Sequence, residues 1–192
     1  MATLTKPDRL HFTGNDDADA LIARDPFALL VGFALDQQVP VSTAFSGPLK
    51  IEQRLGTLDP RAIASTDPAK LEAAFREKPA VHRFPGTMAQ RVQDLARVIA
   101  DDYDGGAERI WTQAQNGQDL KTRLASLPGF GDMKVRAMLG VLSKRFGVQL
   151  EGMDEVVPKH PTLGDVDSAE TLAEYQAKKR AHKAEMRAKQ QA

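Results

Sequence analysis

The chain has 192 residues, no cysteine, and equal numbers of basic and acidic residues, 26 of each. A chain of this length with 42% hydrophobic residues can bury the core of a single domain. Its longest apolar run, Ala28 to Leu35, is much too short to cross a bilayer, and the polar, acidic N-terminal segment does not resemble a signal peptide. These features predict a cytoplasmic protein that contains neither disulfides nor cysteine-ligated metal.

Three aspartate-proline pairs, at Asp25, Asp59 and Asp67, each predict the start of a helix. Aspartate accepts backbone hydrogen bonds at an N-cap, and proline is tolerated at the first helical position. Hydrophobic residues recur at helical spacing along most of the chain, and no segment alternates as a strand would. The fold class is therefore all-α, with a long loop at 148–167. Helices are expected at about residues 25–37, 41–55, 60–65, 67–77, 87–103, 106–114, 118–126, 132–146 and 168–190.

The segment Leu127-Pro128-Gly129-Phe130-Gly131 lies between two of these predicted helices. Its glycines permit positive φ angles and the close approach of another group. The amides of such a turn, and of the first turn of the following helix, point outward and can bind a phosphate. A phosphate is the same at every base, so this helix-hairpin-helix unit would bind DNA without reading its sequence.

Positive charge is concentrated in two parts of this neutral chain. Residues 117–147 carry six basic side chains against two acidic ones, and residues 178–192, the end of the last predicted helix, carry six against one. Such local excess favours binding to phosphates, with an affinity that falls as salt rises.

The hairpin segment resembles that of the helix-hairpin-helix DNA glycosylase superfamily, which includes endonuclease III and the adenine, 8-oxoguanine and bacterial alkyladenine glycosylases. All five of its residues match the family pattern Leu-Pro-Gly-apolar-Gly. Upstream, Leu35-Asp36-Gln37-Gln38-Val39 is similar to the family's Leu-Ser-x-Gln segment, and Phe84 to Arg91 is similar to a family helix that begins with an aromatic residue and a short turn. The resemblance covers about residues 25–155.

This resemblance implies one domain, residues 1–192, built from two helical lobes that meet at a cleft. The implied partner is double-stranded DNA containing a damaged or mismatched base, in a protein associated with the bacterial nucleoid. Many relatives carry a four-cysteine iron-sulfur cluster, which a chain without cysteine cannot hold, so no cofactor is expected. The histidines are too widely separated in sequence to predict a metal site.

The family also implies roles for individual residues. Glycosylases rotate the target nucleotide out of the duplex and fill the gap with an inserted side chain. Gln38 aligns with the family glutamine at this gap, although Gln37 and Gln38 could instead simply end a buried helix before Pro40. The predicted DNA-binding residues are Gln37, Gln38, Arg91, Gly129, Phe130, Gly131, Lys134 and Arg136.

Base excision needs a carboxylate near C1′, because the sugar becomes oxocarbenium-like in the transition state. The family spacing beyond the hairpin indicates Asp154 as this catalytic residue. Since Pro158 allows only a short helical turn there, the acidic side chains nearby remain alternatives. These alternatives are Glu151, Asp165 and Asp167.

Bifunctional relatives add a lysine that attacks C1′ and forms a Schiff base. An alignment without a gap places Met133 at this position, which implies a monofunctional enzyme that uses water, with Lys134 on phosphate. A register shift of one residue makes Lys134 the catalytic nucleophile instead. Two other interpretations stay open: a DNA-binding protein that has lost the active site, and a helical protein that uses its hairpin only for packing.

Overall fold

The computed structural model describes residues 6–191, which are helical and contain no strand. This confirms the all-α fold class. The helices are α1 (Asp16–Arg24), α2 (Pro26–Leu35), α3 (Val41–Leu55), α4 (Pro60–Ser65), α5 (Pro68–Arg76), α6 (Pro85–Asp102), α7 (Arg109–Thr112), α8 (Gly117–Ala125), α9 (Asp132–Arg145), α10 (Met153–Val156) and α11 (Ala169–Gln191), with a 3-10 turn at Leu163–Asp165 before α11.

The three aspartate-proline pairs begin helices as the sequence predicts. The carboxylate of Asp25 accepts hydrogen bonds from the first amides of α2, at 2.8 and 3.2 Å. Asp59 and Asp67 each accept one amide hydrogen bond, at 3.0 Å, at the starts of α4 and α5. Each cap satisfies backbone donors that have no partner within the helix.

The structure differs from the expected elements in two places. The N-terminal segment contains the helix α1, whose first turn holds three aspartates that favour the positive end of the helix dipole. Asn15 caps this helix, and buried Asp19 binds the backbone amides of Phe12 and Thr13. The segment 148–167 is not one loop, because it contains α10 and the 3-10 turn, where Thr162 and Asp165 form a capping box.

The helices pack in two groups, α1 to α6 and α7 to α11, which share one hydrophobic core. Every residue of α2 after Pro26 is buried. The rings of Phe33, in α2, and Phe130, in the hairpin segment, lie 6.4 Å apart and join the two groups. The hairpin is thereby fixed against the C-terminal end of α2. Within residues 6–191, no helix has the combined length and apolar character of a membrane span.

Candidate nucleic-acid interface

The hairpin segment presents a row of unbonded amides. Among the described residues, the backbone N–H groups of Gly129, Gly131, Asp132 and Met133 have no hydrogen-bond acceptor. Phe130 donates its own N–H to the carbonyl of Leu127, at 3.1 Å, and this bond holds the turn closed. Its ring is packed inward and only 6% exposed, so Phe130 can offer DNA little more than its backbone.

The two glycines of the hairpin differ in what requires them. Gly129 has a φ of +81°, and a methyl group on it would lie 2.5 Å from Cδ of Arg91, so both conformation and contact exclude a side chain. Gly131 has an ordinary φ of −83°, and the space beside it is open. The open side of Gly131 is where another molecule can approach the amides.

A second turn, directly after α2, faces the hairpin. Gln38 is exposed and adopts a left-handed φ of +56°, a conformation that is uncommon outside glycine and is often retained at functional positions. The side-chain oxygen of Gln37 accepts a hydrogen bond from the Arg91 guanidinium. Arg91 therefore lies between the Gln37 side chain and Gly129 and links the turn to the hairpin.

His82 fixes this turn from below. Its Nε2 lies 3.0 Å from the carbonyl oxygen of Gln37, and its Nδ1 accepts the backbone N–H of Phe84, also at 3.0 Å. Nε2 must therefore carry the proton of the neutral ring and donate to the carbonyl. Burial lowers the pKa of His82, which is consistent with a neutral ring. The sequence analysis gave His82 no role, and its function here is structural.

The two turns enclose a cleft of about 550 Å³. The structure thus brings together six of the predicted site residues, which are Gln37, Arg91, Gly129, Phe130, Gly131 and Lys134. Arg136 lies farther along α9, where it forms an ion pair with Asp132 at 2.9 Å and lines a neighbouring pocket. Gln38 follows Gln37 at the mouth and does not line the cleft.

Lys134 is half-buried at the inner end of the cleft. Its ammonium donates a hydrogen bond to the carbonyl of Ala34, at 3.0 Å, so α9 is tied to the C-terminal end of α2. Burial, and next the positive charge of Arg91, lower the pKa of Lys134 to about 8, while Asp36 acts in the opposite direction. Met133, which the ungapped alignment places at the nucleophile position, is exposed to solvent instead.

Asp36 is a further residue of this site, and the sequence analysis assigned it no role. Burial raises the pKa of its carboxyl, and the charges of Lys179 and Lys134 partly offset this effect. Among the described residues, its side chain has no hydrogen-bond partner, although two lysines face it. A signal was present in the sequence, because Asp36 occupies the position where the family motif has serine.

The structure does not bring Asp154 into the cleft. This residue is exposed on α10, which packs beside the start of α8, where Gly117 donates to the carbonyl of Glu151 at 2.8 Å. The hairpin follows the other end of α8, and a nine-residue helix separates its ends by roughly 13 Å. The cleft is lined by neither Asp154 nor Glu151.

The other two carboxylates named from the sequence already have partners within the chain. Asp165 binds the Lys144 ammonium at 2.6 Å and the amide of Thr162 at 2.7 Å. Asp167 accepts the hydroxyl hydrogen of Thr171 at 3.1 Å, at the start of α11. Both therefore help to fix the segment that leads into α11.

Three adjoining openings form a basic face on a molecule whose net charge is zero. They are the cleft, a pocket of about 490 Å³ between α9 and α11, and a smaller one of about 260 Å³ between α11 and the start of α3. Asp132, paired with Arg136, is the one carboxylate among their described lining residues. The lining cations are Arg91, Lys134, Arg136, Lys178, Lys179, Arg180 and Lys183.

Free amides in a hairpin between two helices, open to a basic cleft, define a helix-hairpin-helix DNA-binding protein. Residues 31–190 match the model of the HhH-GPD superfamily base excision DNA repair protein. The match covers most of the chain, which therefore belongs to this family. Comparisons with curated proteins and with solved structures gave no match. No cluster of three or more potential metal ligands occurs in residues 6–191.

Proposed function

We propose that this protein is a monofunctional DNA glycosylase, which extrudes a damaged or mismatched base from double-stranded DNA and hydrolyses its N-glycosidic bond. The observation that carries this proposal is the row of free hairpin amides opening into the same cleft as Gln37, Arg91 and Lys134. The amides and cations suit a DNA backbone, and the cleft gives space beside it. The family supplies the reaction class, base excision repair.

Binding begins at the hairpin in this proposal. One phosphate accepts hydrogen bonds from the free amides around Gly131, and Arg136 and Lys134 supply positive charge nearby. Gln38 projects from its left-handed turn beside the cleft mouth. We assign it the role of filling the gap in the duplex, because its amide can pair with the orphaned base on the opposite strand.

Lys134 acts as a cation in this mechanism and not as the attacking nucleophile. With a pKa of about 8, roughly one molecule in ten carries the neutral amine at pH 7. Its Nζ is also engaged with the carbonyl of Ala34, at the inner end of the cleft. The lowered pKa on its own would favour a nucleophile, but the hydrogen bond to Ala34 holds Nζ in place, and we assign the attack on C1′ to water.

Two carboxylates are candidates to stabilise the cationic sugar. Asp154 is indicated by the family spacing, and Asp36 by its charge interaction with Lys134, which lines the cleft. Asp154→Asn and Asp36→Asn separate them, since the catalytic carboxylate is needed for the excision rate constant and not for DNA affinity. A normal rate constant in either variant removes that residue from the chemical step.

The deciding experiment incubates the full chain with duplexes that contain uracil, 8-oxoguanine, alkylated adenine, hypoxanthine or an abasic site. On the four duplexes that contain a base at the lesion, strand breaks that appear only after hot alkali establish a monofunctional glycosylase and identify its base; the abasic duplex, which alkali breaks without enzyme, tests strand cleavage alone. A borohydride-trapped adduct lost in Lys134→Gln would instead assign Schiff-base chemistry to Lys134. Breaks without alkali and without trapping would contradict the hydrolytic mechanism.

A second candidate function is a DNA-binding protein without catalysis. Two observations favour it: Met133 stands at the position of the family nucleophile, and Asp154 lies away from the cleft. This candidate predicts salt-sensitive binding to duplex DNA and no product on any of the five substrates. Product formation on one of them excludes it.

A further inference from the structure

The pocket between α9 and α11 has no role in the mechanism above. Its volume of about 490 Å³ falls within the usual range for small-molecule sites and is sufficient for an extruded nucleobase. Its walls come from one face of α9, the loop at residues 160–162, and the first half of α11. It is therefore built by the C-terminal group of helices.

Met133 connects this pocket to the hairpin cleft. Among the described residues, it is the one that lines both, and it is 75% exposed although it is apolar. An apolar side chain left in water at such a junction is available to pack against another apolar surface. A base that leaves a duplex held at the hairpin would meet Met133 and then the pocket.

The pocket combines apolar walls with a positively charged rim. Met133, Ala137, Pro161 and the half-buried Tyr175 supply surface against which a flat ring can pack. Arg136, Lys178 and Lys179 bring positive charge, and no carboxylate occurs among the described residues that line the pocket.

Three carboxylates outside the pocket act near it without reversing this charge, and one of them, Asp132, is paired with Arg136 at 2.9 Å. The other two, Asp36 and Asp165, are close enough to Tyr175 to add to the effect of burial, which raises the pKa of its hydroxyl. Asp165 is paired with Lys144 at 2.6 Å, and Asp36 faces Lys134 and Lys179. Each negative charge behind Tyr175 is thus offset by lysine, and the pocket presents hydrogen-bond donors and cations to its occupant.

We infer that this pocket receives the extruded base and selects neutral, carbonyl-rich bases, such as deaminated or oxidised ones, over positively charged N-alkylated bases. The inference rests on the proposed function and adds the substrate class to it. Carbonyl oxygens accept hydrogen bonds from the cationic rim, whereas a base with its own positive charge is repelled there. The hairpin binds the backbone equally in both cases.

The test introduces a carboxylate into the pocket wall. Ala137→Asp places a negative charge on the half-buried face of α9, and Ala137→Asn is the control of equal size without that charge. Single-turnover excision is measured on duplexes containing hypoxanthine, uracil or the cationic base 7-methylguanine. We expect the wild type to prefer the neutral bases by about tenfold or more, and Ala137→Asp to lower that preference several-fold relative to Ala137→Asn.

A second pair of variants changes only exposed residues. Lys178→Glu changes an exposed residue of the rim, and Lys189→Glu makes the same charge change farther along α11, outside the three openings. Lys178→Glu should move the preference toward 7-methylguanine, while Lys189→Glu should not. A wild-type preference for 7-methylguanine, or equal preferences in the paired variants, overturns the inference.

Equilibrium affinity separates failure of this inference from failure of the proposed function. If no duplex is cleaved, the same variants are tested for binding to the hypoxanthine and 7-methylguanine duplexes. The pocket inference then predicts that the wild type binds the hypoxanthine duplex more tightly than the 7-methylguanine duplex. The difference between these two affinities should be smaller in Lys178→Glu than in Lys189→Glu. Equal affinities for the two duplexes in the wild type would refute the pocket, whatever the hairpin binds.

Discussion

At the scale of single residues, the pair formed by Lys134 and Asp36 is the most unusual feature of the site. A half-buried ammonium is held by a backbone carbonyl at 3.0 Å, and a largely buried carboxylate faces it. Burial has the largest effect on both pKa values, and each group partly offsets that effect in the other.

Asp36→Asn should lower the pKa of Lys134 below its value of about 8. The substitution removes the negative charge that now raises this pKa, while burial and the Arg91 charge continue to lower it. The fraction of neutral amine at pH 7 should therefore increase. The measurement is an NMR titration of the chain after reductive methylation with ¹³C-formaldehyde, with the Lys134 signal assigned from Lys134→Arg.

Asp132→Asn is the control for this titration. Asp132 is a carboxylate that lines the cleft, but its partner is Arg136, and it does not contribute to the pKa of Lys134. Its removal should leave the Lys134 titration unchanged. If Asp36→Asn and Asp132→Asn give the same midpoint as the wild type, the pair does not interact as described.

At the scale of elements, the two glycines of the hairpin between α8 and α9 differ in whether the fold requires them. Gly129 serves the fold, since its left-handed φ and the nearby Arg91 leave no room for a side chain. Neither constraint applies to Gly131, because its φ is ordinary and the space beside it is open. We propose that a partner approaching its amide accounts for this glycine, which the free protein does not need.

Gly129→Ala should therefore destabilise the protein and Gly131→Ala should not. The expected loss in the free energy of unfolding is about 1–3 kcal/mol at Gly129, from the left-handed conformation and the clash with Arg91, and within about 0.5 kcal/mol at Gly131. Urea unfolding followed by circular dichroism measures both. Equal stabilities for the two variants would contradict the assignment of Gly129 to the fold.

Gly131→Asp should weaken DNA binding without loss of stability. The side chain fits in the free protein, but its negative charge would lie where a phosphate binds the hairpin amides. Gly131→Asn, which has the same shape without the charge, separates repulsion from bulk. Fluorescence anisotropy with an undamaged duplex gives the affinities, and an unchanged Kd in Gly131→Asp would show that DNA does not contact this face.

At the scale of the whole molecule, the distribution of charge matters more than its total. The net charge of zero would by itself argue against a DNA-binding protein. The fold places seven basic side chains around three adjoining openings, and four of these residues belong to α11. The C-terminal helix therefore extends the basic face that starts at the hairpin.

The salt dependence of DNA binding should show whether DNA contacts the α11 part of this basic face. Replacement of both Lys178 and Lys179 by glutamine should reduce the slope of log K against log salt by about two, if each lysine contacts one phosphate. Lys70, which is exposed on α5 and lines none of the three openings, provides the control variant Lys70→Gln. A slope that is the same in all three proteins would place α11 outside the DNA-binding surface.

The amino-acid sequence determined the local features of this protein. The helix starts at Asp25, Asp59 and Asp67 and the turn at Gly129 depend on neighbouring residues, so they are encoded within a few positions of the chain. The family followed from short motifs of the same kind. Helix α1 was not predicted, because the polar, acidic N-terminal segment was considered only as a possible signal peptide.

Only the tertiary structure decided which of these features share a site. Lys134 meets the carbonyl of Ala34 across one hundred residues of sequence, and its lowered pKa exists only because the two groups of helices bury it there. The same packing leaves Asp154 outside the cleft and brings Asp36 beside Lys134. Burial and the contacts between distant side chains are properties of the folded chain, so local patterns cannot encode them.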